Sequence, residues 1–127
     1  MLDHLGVTVS DFKVSRAFYD QALAPLGVAV IMEVSPEETG GSSHAGYGLN
    51  GKPDFWIGTG GRASGGVHVA FTAKDRASVD AFYAAAMAAG GKDNGPPGLR
   101  EHYHPNYYGA FVLDPDGNNI EAVCHNG

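Results

Sequence analysis

Residues 4–27 read HLGVTVSDFKVSRAFYDQALAPLG, and residues 68–91 read HVAFTAKDRASVDAFYAAAMAAGG. The two stretches align without gaps at a constant offset, and the matched identities include His4 with His68, Thr8 with Thr72, Asp11 with Asp75, Phe18-Tyr19 with Phe82-Tyr83 and Gly27 with Gly91. Self-similarity of this kind indicates repeated structural units. We therefore expect one domain over residues 1–127, built from a first module, residues 1–62, and a second module, residues 63–127.

Each repeat begins as a strand and continues as a helix. Apolar residues alternate with small or polar ones at the start of both repeats, which predicts a half-buried strand in each module. His4 and His68 fall on the faces with small and polar neighbours. Asp11 and Asp75 follow where an N-cap belongs, since their carboxylates can accept the free amides of a first helical turn. Apolar residues then recur at helical spacing, so a short amphipathic helix follows each strand.

Further strands complete each module. The first module has candidate strands at residues 28–33, 45–50 and 54–59. The second is less distinct around Lys92 and then has a clear pair, residues 107–113 and 118–123, joined by the turn sequence Asp-Pro-Asp-Gly. The order is βαβββ twice. It predicts an α+β fold in which two tandem modules form a cupped, mostly antiparallel sheet with helices on one side.

Composition excludes several classes of protein. The chain has 127 residues, of which 43% are hydrophobic, and a formal net charge of −6. This charge repels a phosphate backbone, and no apolar run is long enough to span a bilayer, so we expect neither a nucleic-acid partner nor a membrane. Cys124 is the single cysteine, so no internal disulfide can form. The chain enters a patterned strand directly after Met1, and we expect a cytoplasmic protein.

Three residues on predicted strands form a candidate metal site. His4 and His68 recur at the same point of the two modules, and Glu121 lies in the middle of the last strand. A single strand histidine is more often a core residue than a ligand, and a strand glutamate can lie on a solvated face. Two imidazoles and one carboxylate from three strands can nevertheless hold one face of a divalent cation and leave other positions open.

The repeats and the closing sequence FVLDPDGNNIEAV resemble the vicinal oxygen chelate superfamily, which includes glyoxalase I, extradiol dioxygenases, fosfomycin-resistance thiol transferases and bleomycin-resistance proteins. The resemblance covers nearly the whole chain. It implies a glyoxalase-like cup around a metal ion held by His4, His68 and Glu121, with Zn²⁺, Ni²⁺, Mn²⁺ or Fe²⁺ as the cofactor. It also implies a homodimer, in which His4 of one subunit can join His68 and Glu121 of another.

The chain departs from glyoxalase I at one position. That enzyme usually has a second glutamate ligand on the last strand of the first module. The corresponding stretch here reads Asp54-Phe55-Trp56-Ile57, and no carboxylate falls at the aligned position. The resemblance therefore does not extend to the second carboxylate of that enzyme's mechanism.

Polar and aromatic residues are concentrated in GLREHYHPNYYG, residues 98–109. In a functional interpretation, Arg100 holds a substrate carboxylate, and His102 or Tyr103 acts as a general acid or base together with Glu121. His104 and Tyr108 then border the substrate. The alternative interpretation is a surface loop followed by two tyrosines of the core.

The leading functional hypothesis is a glyoxalase-like lyase or isomerase that acts on a small oxygenated molecule through a Lewis-acid metal. One alternative is an Fe(II) dioxygenase of the extradiol type. The other is a protein that sequesters a planar small molecule without catalysis, in the manner of the bleomycin-resistance relatives. The pocket would then be lined by aromatic side chains that include Trp56, Tyr47 and Tyr108.

Overall fold

A computed structural model describes residues 1–126 of the protein, and Gly127, the last residue of the expected second module, lies outside the described residues. The helices are α1 (Phe12–Leu23), α2 (Pro36–Thr39) and α3 (Arg76–Ala88), and a short 3-10 helix, Ala24–Leu26, follows α1. The strands are β1 (Leu5–Thr8), β2 (Ala29–Val34), β3 (His44–Leu49), β4 (Lys52–Gly58), β5 (His68–Thr72), β6 (Lys92–Leu99), β7 (Tyr108–Leu113) and β8 (Asn119–Cys124).

The strands form two four-stranded sheets, one from each half of the chain. Their orders are β1-β4-β3-β2 and β5-β8-β7-β6. The first strand of each half pairs in parallel with the last, and the other neighbours are antiparallel. The predicted α+β class with its twofold βαβββ order is therefore confirmed.

Alternation along the strands determines which face of each sheet is buried. Val7 and Val9 belong to the core, whereas His4 and Gly6 are exposed. In the second half, Val69 is buried and its neighbours His68 and Ala70 are exposed. Each sheet thus buries one face beneath the helices and leaves an open face, and both histidines belong to open faces.

The helices begin at the predicted caps and pack on each other. Asp11 accepts a hydrogen bond from the amide of Val14 at 3.2 Å, and Asp75 accepts one from the amide of Ser78 at 2.8 Å. The carboxylates therefore satisfy amides that lack a partner within the helix. Each helix then buries aromatic and small side chains, among them Phe18, Tyr19 and Ala22 from α1 and Val79, Phe82 and Ala86 from α3.

The glycine pair after α3 has two separate functions. Gly90 ends the helix with φ of 98°, a conformation that favours glycine. Gly91 permits close packing, because a Cβ at that position would lie 2.4 Å from Cγ1 of Val112 and 2.8 Å from Cε1 of Phe18. Only the first glycine therefore has the left-handed conformation that ends a helix.

The strand β6 contains Pro96 and Pro97, which obscured it in the sequence. It lies at an edge of the second sheet and pairs only with β7, with register shifts between Asp93 and Gly95 and between Gly95 and Gly98. Proline is tolerated at such an edge because an unpaired side of the strand needs no amide donor. Among residues 1–126, no helix is long and apolar enough to cross a membrane.

Tyr19 and Tyr83 occupy equivalent positions of the repeat, but their hydroxyl groups differ in environment. Tyr19 is fully buried in the first half and donates to the buried carboxylate of Asp114 in the β7–β8 turn of the second half. The partly exposed Tyr83 donates to the exposed Asp93 at 3.1 Å. The first hydrogen bond connects the two halves of the chain, and the second lies within one half.

We predict that Tyr19→Phe lowers the free energy of unfolding by about 1–3 kcal/mol, because it removes one of the hydrogen-bond donors to the buried carboxylate of Asp114. The matched control Tyr83→Phe changes it by less than about 0.5 kcal/mol. Urea denaturation of both variants and the wild type at pH 7 measures the difference. Equal losses in the two variants would contradict the assigned link between the halves.

Candidate functional site

The second sheet brings His68 and Glu121 together on its open face. His68 begins β5, and Glu121 lies in the adjacent parallel strand β8, directly opposite Ala70. Nε2 of His68 and Oε1 of Glu121 are 2.8 Å apart. The side chain of Glu121 is only 1% exposed, whereas that of His68 is 53% exposed. A carboxylate in such a position requires polar partners, and His68 is one of them.

Tyr107 supplies the second partner of Glu121. Its hydroxyl donates to Oε2, the oxygen that His68 does not contact. Gly109 leaves the space for this arrangement, because a Cβ there would lie 3.2 Å from Cε1 of Tyr107 and 3.3 Å from Oε2 of Glu121. Burial, followed by the hydrogen bond and charge of Glu121, raises the pKa of the Tyr107 phenol. The phenol therefore remains a proton donor to the carboxylate over the ordinary pH range.

Phe111 and Arg100 extend the site towards the edge of the sheet. Phe111 lies directly opposite Glu121 in the β7–β8 pair, and its ring centroid is 6.3 Å from that of His68. The guanidinium carbon of Arg100 lies 5.4 Å from the Phe111 centroid, and one nitrogen of the group donates to the carbonyl of Pro96 at 2.7 Å. Arg100 therefore places a positive charge on the face that carries Glu121, as a substrate-binding role requires.

The loop before β7 surrounds this site with aromatic side chains. The ring centroids of Tyr103 and Tyr107 are 5.1 Å apart, and those of His102 and Tyr103 are 4.2 Å apart with the two rings tilted by 50°. His104 lies 5.6 Å from His125, which in turn lies 5.2 Å from Tyr107. Tyr103 thus packs against Tyr107, the partner of Glu121. His102 and His104 lie farther from Glu121 than Tyr107 does.

Two residues expected at the substrate lie elsewhere. Tyr47 is fully buried in the core, and its hydroxyl donates to Asp20 of α1 at 2.8 Å. Tyr108 faces α3, where it donates to Asp80 at 2.7 Å and packs against Arg76. Both belong to strand positions that alternate away from the open faces, so the expectation that they line a substrate pocket is corrected.

His4 does not join the His68–Glu121 pair within one chain. Its side chain is 58% exposed, and Nδ1 lies 2.7 Å from the carboxylate of Asp3, which also binds Lys52. His4 lines a cavity of about 350 Å³ between the modules, together with residues from Val69 to Thr72. No group of three His, Cys, Asp or Glu side chains in residues 1–126 is arranged to hold a metal.

The position in the first module that corresponds to Glu121 is occupied by Trp56. Glu121 lies opposite Ala70, and Gly6, which the repeat aligns with Ala70, lies opposite Trp56. Trp56 is partly buried on the open face of the first sheet, between the core residues Phe55 and Ile57. The observed strand pairing thus places an indole where the second module has a carboxylate, in agreement with the departure noted from the sequence.

The residues present fit a divalent cation as two of its ligands. Two donor atoms that bind one ion at right angles with bonds of about 2.1 Å are roughly 3 Å apart. Nε2 of His68 and Oε1 of Glu121, at 2.8 Å, are close to this separation. Beside them, Asn119 Oδ1 is buried and accepts no hydrogen bond from residues 1–126. The pair can hold an ion, but it leaves most coordination positions for other donors.

Tyr107 was not predicted from the sequence as the partner of Glu121. Its sequence position shows only that it precedes the strand beginning at Tyr108. The indicative signal was the glycine at position 109, which lies between the two side chains and leaves room for both. The function of Gly109 can be inferred only once the pairing of β7 with β8 is known. In that pairing Gly109 lies opposite Val123, and Phe111 lies opposite Glu121.

Paired βαβββ modules with a histidine and a glutamate on an open sheet face define a glyoxalase-like α+β protein. The family model of the Glyoxalase/Bleomycin resistance protein/Dioxygenase superfamily matches residues 1–122. The chain therefore belongs to this superfamily. No curated protein sequence matches it significantly.

Solved structures agree with this assignment. A glyoxalase/bleomycin resistance protein from Albidiferax ferrireducens T118 is 32% identical, with a TM-score of 0.75 over 95% of this chain and 96% of that chain. A glyoxylase/bleomycin resistance protein/dioxygenase domain from Frankia sp. EAN1pec shares the fold at 19% identity, with a TM-score of 0.72 and coverage of 98% and 96%. Glyoxalase I from Zea mays, at 23% identity and a TM-score of 0.70, also shares the fold; the match covers 96% of this chain and 45% of that one.

We predict that Tyr107 makes stability depend on alkaline pH. Because the folded chain raises the pKa of this phenol, the unfolded chain loses the proton first as the pH rises above about 10, and the contribution to stability is lost. The difference in unfolding free energy between wild type and Tyr107→Phe therefore shrinks between pH 8 and pH 11. Urea denaturation across this range measures it. A difference that stays constant would contradict the proposed hydrogen bond to Glu121.

Proposed function

We propose that the protein is a metal-dependent enzyme with glyoxalase-like lyase or isomerase activity on a small oxygenated substrate. The observation that supports this proposal most strongly is the buried carboxylate of Glu121, which contacts His68 on an otherwise open sheet face. A buried charge of this kind is costly unless it is paired or binds a cation. Zn²⁺, Ni²⁺, Mn²⁺ and Fe²⁺ all suit an imidazole and carboxylate donor set.

We infer that the third protein ligand, His4, comes from a second copy of the chain. His4 and His68 are equivalent in the repeat, and both project from open faces. Within one chain His4 does not lie with His68 and Glu121, so a complete set needs another source of imidazole. A twofold homodimer supplies it twice, because each chain gives His4 to one site and His68 with Glu121 to the other.

The residues around the pair have distinct roles in this proposal. The metal, when bound, polarises oxygens of the substrate as a Lewis acid. Glu121 accepts a proton from the substrate on Oε1 or Oε2 and later returns it to the substrate. Tyr107 holds Oε2 in place through the hydrogen bond that its hydroxyl donates. Arg100 binds a carboxylate of the substrate. Tyr103, adjacent to Tyr107, supplies or removes a further proton at the rim of the site.

His102 and His104, the two histidines of the loop before β7, have secondary roles in this proposal. His102 packs against Tyr103 and is the alternative acid or base, and His104 borders the substrate from the same loop. Their exposure allows them to exchange protons with water. These assignments place general acid–base groups on one loop and the metal ligands on the strands.

A second candidate function is sequestration of a planar compound without catalysis. It is supported by Trp56, whose indole lies partly exposed on the open face of the first sheet. An extradiol-type reaction with Fe²⁺ uses the same three proposed ligands. Metal content separates the binder from both enzymatic alternatives, and a screen of different metals with catechols and hemithioacetals separates the two enzymes.

We predict that untagged protein purified without chelator binds one divalent ion per proposed site. His68→Ala and Glu121→Gln each weaken the affinity more than about tenfold, because both change a direct ligand. The control Asp80→Asn alters a carboxylate on the helix side of the sheet and leaves metal affinity unchanged. Isothermal titration with Zn²⁺ and Mn²⁺ measures the constants. Wild-type affinity in His68→Ala and Glu121→Gln would contradict the proposal.

A site shared between two chains has a specific consequence for mixed dimers of two different variants. His4→Ala and His68→Ala homodimers each lack a ligand in both sites, whereas a mixed dimer retains one complete set. Joint refolding of the two variants in equal amounts should therefore restore about a quarter of the wild-type tight sites. Metal analysis of the mixture after gel filtration measures this. No recovery on mixing, with both variants folded, would contradict a site shared between copies.

A further inference from the structure

We propose that the open face of the first sheet forms the second wall of the same cleft, and that Trp56 stacks on a planar, unsaturated group of the substrate. The inference rests on the proposed function, because His4 must reach the partner's half of the site. His4 and Gly6 lie two residues apart at the start of the first sheet and so face the same side. Bringing His4 to the metal therefore also brings the face that carries Trp56.

The first sheet has an apolar row across its open face. Gly6 lies opposite Trp56, Trp56 opposite Gly46, and Gly46 opposite Met32. Residues directly opposite each other in adjacent strands project from the same face. Met32 is half exposed although it is apolar. The row thus offers an indole and a thioether, separated by a glycine, and contains no charged side chain.

The second sheet has a row with a buried carboxylate at the equivalent place. Ala70 lies opposite Glu121, Glu121 opposite Phe111, and Phe111 opposite Gly95. The strand pairing therefore matches Trp56 with Glu121 and Gly46 with Phe111. The two rows occupy the same positions of the two modules and differ in chemistry. One presents a carboxylate suited to a metal, and the other presents an aromatic surface.

The indole of Trp56 is held in a defined position. A Cβ added to Gly46 would lie 2.8 Å from Cε2 and Cζ2 of Trp56 and 2.8 Å from Cβ of Pro53. The indole therefore lies against the backbone of Gly46, in space that any other residue would fill. One side of the ring packs on the sheet, and the partial exposure of Trp56 leaves surface for a ligand. An immobilised ring loses little entropy when a second planar group stacks on it.

These two walls define the chemical class of the substrate. Its oxygens bind at the metal beside Glu121, and a planar conjugated or aromatic group extends from them to Trp56. Met32 can contact the edge of such a group, because a thioether packs favourably against aromatic rings. A substrate with only a methyl group beside its oxygens leaves the apolar wall unfilled. The structure thus favours an aryl-substituted or conjugated vicinal-oxygen compound.

Acetohydroxamate and benzohydroxamate test this directly, since both offer the same vicinal oxygens to a metal and only the second carries a planar ring. Their dissociation constants are measured by titration calorimetry with Zn²⁺-loaded wild type, Trp56→Leu, Trp56→Phe and the helix-side control Val14→Ala. Because Trp56 is the single tryptophan, fluorescence excited at the red edge of the absorption band, where tyrosine does not absorb, reports on it alone. Benzohydroxamate should quench this emission strongly in the wild type, and acetohydroxamate should not.

We expect benzohydroxamate to bind at least about tenfold more tightly than acetohydroxamate to wild type and to Val14→Ala. Trp56→Leu should remove this preference without changing Zn²⁺ affinity, and Trp56→Phe should keep part of it. Normal Zn²⁺ binding with equal constants for the two hydroxamates, or no quenching by benzohydroxamate, would overturn the inference alone. Failure of the wild type to bind Zn²⁺ would overturn the proposed function and this inference with it.

Discussion

The burial of the Glu121 carboxylate is the constraint on which the site depends. The side chain is almost fully inaccessible, although it projects from the open face of its sheet and not into the core beneath the helices. It needs a donor for each oxygen, and His68 and Tyr107 provide one each. The absence of a side chain at Gly109 makes room for the phenol. The arrangement holds the carboxylate in one orientation before any ligand arrives, which is the preorganisation that a metal or proton-transfer site requires.

A repeated scaffold supports two different chemistries in this chain. Both modules use an aspartate cap, a buried helix face and a parallel pairing between first and last strands. These features maintain the fold, and they recur. The side chains on the open faces do not contribute to the core, so these side chains can differ between the two modules. Glu121 and Trp56, at corresponding positions, are the clearest result of this freedom.

Much of the fold could be predicted from the sequence because the repeat matches caps, helices and first strands in register. His68 and Glu121 could be predicted as ligands of one site from their places on predicted strands and from the family resemblance, and the structure brings the two side chains together. Tyr47 and Tyr108 could not be placed, because their orientation depends on strand boundaries that an alternation pattern locates only within a residue or two. The strand β6 was obscured by two prolines, which an edge position tolerates.

Two features could not be predicted from the sequence: Tyr107 as the partner of Glu121, and the correspondence between Trp56 and Glu121 in the two modules. Both follow from which residues lie opposite each other in adjacent strands, and this pairing is a property of the folded sheets. The interval between the paired strands also differs between the modules, so alignment of the repeats alone does not match Trp56 with Glu121. His4 presents the opposite case, since its repeat position is clear but its proposed metal partners lie on another copy.

The position of a bound metal ion decides whether Glu121 belongs to a metal site shared by two copies of the chain. A crystal structure of the Zn²⁺-loaded protein, with anomalous diffraction recorded at the zinc edge, measures it. We expect a peak within about 2.3 Å of Nε2 of His68 and of an oxygen of Glu121, with His4 of a second copy as a further ligand. A peak bound by His4 of the same chain, or one remote from Glu121, would contradict it.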